Sequence, residues 1–218
     1  MNTATTKAPT QPTTDPRTLF AAAAATARTT LAAVSSAQMT LPTPCETLDV
    51  RMLMGHLLAV VHRVSALAEG GDPFSVPDVI DGIADADWVR EWDAATARFD
   101  AAWADDALLA QVMVLPWAQL PGAAIAAMYT SEVSVHTWDL ATATGQRPDW
   151  NAEAIQVSLA TMHQALPAYG RIEEFEAARA RMPEGKEGFN YPFGEAVATA
   201  ANASLIDQLV AWTGRTPR

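Results

Sequence analysis

Residues 50–70 read VRMLMGHLLAVVHRVSALAEG, and this stretch decides what kind of fold the chain can have. Wound as a helix it is apolar almost all round, which suits a central position wrapped by other elements. Asp49 stands where an N-cap belongs, and Gly70–Gly71 where a helix closes. Working outward, strong helix formers run from Arg17 to about residue 37, with an apolar stripe through Leu19, Phe20, Ala23, Leu31 and Val34. The two prolines of TLPTPCET (40–47) separate these helices. Residues 72–86 read as a loop, and residues 87–105 resume a helical period with Trp88, Trp92, Phe99 and Trp103 as its apolar contacts.

Around QVMVLP (111–116) and AQLPG (118–122) the pattern changes to a short hairpin, with Pro116 and Pro121 bracketing Trp117. Trp117, at its tip, is placed to line a pocket. Further helices are expected at about 123–143, 152–166 and 172–182, then a turn-rich loop over 183–194 and a last amphipathic helix within 203–214. The expected fold is mainly all-α: a four-helix bundle with a small β-hairpin and a C-terminal helical embellishment from about residue 170. Residues 1–16 are polar and proline-bearing and read as a disordered leader, so the domain is expected to run from 17 to 218.

Half of the 218 residues are hydrophobic, enough for a real core, and the net charge is −11. That charge, with basic residues scattered, argues against a nucleic-acid partner, whose phosphates require clustered Lys and Arg. The single cysteine, Cys45, forbids an intramolecular disulfide and fits a reducing cytoplasm. The first residues lack the apolar core of a signal peptide. The Ala-rich stretch that follows is interrupted by Arg28, Thr29 and Thr30, so no membrane span is expected there. A cytoplasmic monomer or homodimer acting on a small molecule is the expectation.

Chemistry concentrates in SEVSVHTWDL (131–140). On a helix Glu132 and His136 stand one turn apart, and Asp139 lies close to the same stripe. A carboxylate and an imidazole so spaced can grip a divalent cation, given a third ligand from elsewhere. His56, His62 and His163 are the candidates. His56 and His62 lie roughly 240° apart around their helix and cannot both face one site. His56, amid LMGHLLAV, is costly to bury unless paired or ligated, whereas His62 beside Arg63 suits the outside. Asp139 either supports a ligand histidine from behind or points to water. Cys45 has nothing basic beside it in sequence and reads as a small buried hydrophobe. No nucleophile elbow, phosphate loop, dinucleotide fingerprint or H-E-x-x-H is present.

TPCETLDVRMLMGHLL (43–58), VLPWAQLPGAA (114–124), SEVSVHTWDLATATGQ (131–146) and the closing FGEAV (193–197) with ASLIDQLVAWTGR (203–215) occur in an order that resembles a known family. It is the actinobacterial metal-binding branch of the DinB/YfiT-like superfamily, related to the N-terminal domain of mycothiol-dependent maleylpyruvate isomerase. The resemblance implies a four-helix bundle holding one divalent metal through His56, Glu132 and His136. It implies zinc first, with nickel or iron(II) compatible with the donors, and mycothiol as a co-substrate. Where the family's hairpin usually has glycine, this chain has Ala118. The implied activity is thiol transfer to an electrophile, or cis–trans isomerisation of an unsaturated acid. A thiol-independent lyase, cyclase or hydrolase, and a metal-binding protein without turnover, are the rival readings.

Overall fold

The computed structural model describes residues 14–45, 47–115, 118–179 and 193–217. Helix α1 (Pro16–Ala32) starts at Asp15, whose carboxylate accepts from the Arg17 amide. It stops short of the expected residue 37. Ser35 takes an extended backbone, its amide donates to Gln38 Oε1, and residues 36–38 form a separate 3-10 turn. Hydroxyl residues favour such local bonds over a continuing helix.

Helix α2 (Val50–Ala68) is the central one, capped by Asp49 on the Met52 amide at 2.8 Å. Its end is a paired closure: the Gly70 amide reaches the Leu67 carbonyl and the Gly71 amide that of Ala66, with Gly70 at φ +75°. Only glycine enters that left-handed region at little cost. Helix α3 (Trp88–Ala102) and a single turn, α4 (Ala107–Ala110), precede strands β1 (Val112–Leu115) and β2 (Ala118–Pro121). The α4 turn is too short to leave a period in the sequence. The hairpin pairs Val112 with Pro121 and Leu115 with Ala118, turning Met113 and Leu115 inward and Val112 and Val114 to solvent. Pro116 and Trp117 lie outside the described residues, as do residues 1–13 of the expected leader and most of the 183–194 loop, whereas Asp15 and Pro16 already belong to the start of α1.

Helix α5 (Gly122–Thr144) is buried on nearly every side despite its many polar residues. Its hydroxyls explain how: Thr130, Ser131, Ser134, Thr137 and Thr144 each donate to the carbonyl one turn back, at 2.7–2.9 Å. Each buried hydroxyl is thereby satisfied. Helix α6 (Ala152–Ala165) follows, then α7 (Arg171–Arg179) and α8 (Leu205–Trp212).

The four-helix bundle is α1, α2, α3 and α5. Around its ring α1 packs on α3 and α5, and α2 packs on the same two. The core holds the aromatic residues of α3 together with Phe20, Leu53, Leu57, Val60 and Ile125. Trp92 and Trp103 bury their indoles by donating to the carbonyls of Ala24 and Val64. A second cluster joins α5, α6 and α8 through Val135, Trp138, Ile155, Met162, Leu209 and Val210. By length and composition α2 could cross a membrane, but 72% of its apolar window is buried in this bundle. Mainly helical architecture, hairpin and C-terminal embellishment all agree with the sequence reading.

Candidate metal centre

The bundle brings His56 of α2 together with Glu132 and His136 of α5. One donor atom from each lies within 4.8 Å of the other two. His56 Nε2 stands 3.8 Å from Glu132 Oε1, and the two imidazoles meet edge to face with centroids 4.7 Å apart. Two ligands on one zinc stand roughly 3.4 Å apart, so the group closes on a cation by small side-chain movements.

Which nitrogens face inward is fixed from behind. His56 Nδ1 lies 2.8 Å from the Asp78 backbone oxygen. A carbonyl can only accept, so Nδ1 carries the proton and Nε2 presents a lone pair. His136 Nδ1 likewise donates to Asp139 Oδ2 at 3.1 Å. Asp139 is fully buried and also accepts from Arg215, at 3.3 Å from Nε and 3.0 Å from Nη2. Outer acceptors that set tautomer and ring orientation are the usual support of metal-binding histidines.

Electrostatics point the same way. Burial pushes His56 down to about 4; His136 lowers it further, against the opposing pull of Glu132. Burial also lowers His136. It raises Glu132, against the charges of His56 and Arg63. Asp139 ends below its ordinary value because the His136 hydrogen bond and the Arg215 charge outweigh its burial. Two neutral imidazoles and a carboxylate that resists standing alone as an anion form a donor set that a divalent cation satisfies. His56 and Glu132 keep 16% and 24% of their side-chain surface open, so the group is reachable from solvent, while His136 is sealed at 3%.

The other histidines stand elsewhere. His62 accepts from Arg98 at 3.0 Å, and the exposed His163 packs edge-on against Trp212. Cys45 packs against the core as a partly buried residue, and its sulfur also falls within 4.8 Å of donor atoms of His136 and Asp139. The imidazole that no sequence neighbour provides is supplied by the fold. Arg215 carried a signal, since it closes the VAWTGR motif, but no sequence rule links it to Asp139. Asp78 carried none, because its contribution is a backbone carbonyl.

Residues 20–141 match the sequence profile of the mycothiol maleylpyruvate isomerase N-terminal domain. Two uncharacterized proteins of Mycobacterium tuberculosis, from strains CDC 1551 / Oshkosh and ATCC 25618 / H37Rv, are each 29% identical over 188 residues, spanning 86% of this chain and 91% of theirs. No solved structure matches. The matched segment covers more than half of the sequence and contains all three converging donors, and the chain belongs to the family of the mycothiol maleylpyruvate isomerase N-terminal domain.

Proposed function

We propose that the protein is a divalent-metal-dependent enzyme that activates a low-molecular-weight thiol of the mycothiol type for transfer to an electrophile or for thiol-assisted isomerisation. The observation that carries this reading is the convergence of one donor atom each from His56, Glu132 and His136 within 4.8 Å, with an acceptor behind each imidazole. His56, Glu132 and His136 are the proposed ligands and zinc the proposed metal, with the donors also admitting nickel or iron(II). A cation held there supplies Lewis acidity that lowers the pKa of a thiol reaching the open side, favouring the nucleophilic thiolate.

The chain's own residues do the rest. Burial keeps the imidazoles neutral, Asp139 and the Asp78 carbonyl fix their tautomer and orientation, and Arg215 keeps Asp139 ionised. Two neutral ligands and one carboxylate leave a dication with residual positive charge, which suits an anionic sulfur. The same reading takes residues 17–218 as one domain whose segment beyond about 170 completes the support through Arg215.

Metal analysis of the purified protein tests the first step. About one equivalent per chain is expected, and its loss in His56→Ala. Thiol consumption with an electrophile, with and without chelator, tests the second. A rate that falls on chelation supports the reading, and equal rates overturn it.

A further inference from the structure

Helices α2 and α5 pass one another antiparallel: beside the start of α2, where the Arg51 amide donates to the Met39 carbonyl, Gln38 donates to the Thr144 carbonyl at the end of α5. His56 meets His136. Seven residues along α2 stands Arg63, and seven residues back along α5 stands Tyr129. Equal steps in opposite directions put these two at a common level, about two helical turns (~10 Å) from the histidines. The electrostatics agree, since the Arg63 charge acts on Tyr129 as well as on His56 and Glu132. Helical side chains lean toward their N-terminus, so Arg63 leans back toward His56.

Both groups have hydrogen-bonding capacity that the fold does not use. Tyr129 is 4% exposed, and among the described residues its hydroxyl has no hydrogen-bond partner. Among the described residues Arg63 bonds only through Nη2, to the Asp78 carboxylate and, at 3.5 Å, to the Val76 carbonyl. Its Nε and Nη1 meet no acceptor among the described residues. The Arg63 side chain is 14% exposed and that of Asp78 is 73% exposed. The acidic partner therefore sits toward water, while the N–H groups of Nε and Nη1 remain free and a planar anion that displaces Asp78 from Nη2 would find a two-toothed edge.

We propose that Arg63 and Tyr129 form the anion-binding end of the site, so that the molecule meeting the cation carries a carboxylate at its far end. Asp78 is a placeholder for that carboxylate, surrendering Arg63 when the ligand enters. Its backbone carbonyl stays on His56 throughout, so occupation of the far end leaves the imidazole in place. This inference rests on the metal reading above and assigns its specificity to residues outside the ligand set.

The test uses the full chain loaded with zinc and, as probes, 6-mercaptohexanoate and its neutral amide, with binding read by calorimetry and zinc content measured on every sample. The acid is expected to bind about tenfold more tightly than the amide, as a charge-assisted contact predicts. Arg63→Gln is expected to bring the two ligands within about twofold, Tyr129→Phe to narrow the gap, and Asp78→Asn to widen it. Equal binding of acid and amide by the unmodified protein, or a preference that survives Arg63→Gln at full zinc content, overturns the proposal. If Arg63→Gln does not fold, Asp78→Asn decides: its side chain is exposed, and an unchanged preference is equally fatal. A zinc content near zero in the unmodified protein defeats the metal reading itself, and this inference with it.

Discussion

Asp139 shows how much one residue's role depends on what lies behind it. Arg215→Met leaves a carboxylate buried without its cation, and a loss of about 3–5 kcal/mol in denaturant unfolding is expected. Adding Asp139→Asn removes the stranded charge, so the double variant recovers most of that stability. It does not recover zinc affinity, which is expected to stay about 10–100-fold weaker because His136 lacks its anionic support. Stability and affinity that recover together would assign the pair a purely structural role. Glu132→Gln separates the same quantities differently. It keeps the volume and removes a carboxylate whose charged form burial disfavours. Metal-free stability is expected to hold within about 1 kcal/mol while zinc binding is lost, and titration of both forms checks this.

At the scale of elements, the segment between α2 and α3 acts as a strap laid along α2. The Ile80 amide donates to the Gly55 carbonyl at 3.2 Å, and Arg51 reaches the Ile83 carbonyl and Asp85. A methyl group at Gly55 would stand 2.3 Å from the Ile80 oxygen, so the strap must lift to admit one. Lifting it carries the Asp78 carbonyl off His56. Gly55→Ala is therefore expected to cost about 1–3 kcal/mol, and to weaken zinc binding even though residue 55 touches no ligand. Zinc affinity equal to that of the unmodified protein would show that the strap does not position His56. None of this was legible in the sequence, where Gly55 is one small residue in an apolar run. The helices themselves were legible, because α2, α3 and α5 carry long apolar patterns. The overrun of α1 and the missed α4 turn arise where a side-chain bond or a single turn, rather than periodicity, sets the backbone. That Glu132 and His136 share one face was legible because spacing on α5 is a local property. The placement of Arg215 and Asp78 is not local, and no spacing rule reaches across 76 residues to join Arg215 with Asp139.

For the whole molecule, protons and the proposed metal would compete for the same buried nitrogens. His56 sits near 4 in the fold against 6.5 for an ordinary histidine, so between those values the unfolded chain binds more protons. Metal-free stability is therefore expected to be fully present above about pH 6.5 and to fall as the pH drops toward 4, by on the order of 3 kcal/mol from this residue. Urea unfolding at several pH values measures it, and His56→Gln should flatten the slope. Zinc, as the proposed ion, would bind only the deprotonated rings and the folded state. It should raise the melting temperature near neutral pH, by an amount that shrinks on acidification in the same window.

The antiparallel meeting of His56 and His136 makes an ion between them a gauge of how α2 and α5 are aligned. A slip of one residue shifts a helix by about 1.5 Å and turns its side chains by roughly 100°, enough to scatter the donors. An occupied centre would thus resist sliding of one helix along the other far more than their separation. Pulled along the bundle axis, the loaded protein should yield at markedly higher force than the stripped one, whereas pulling across the axis should distinguish them much less.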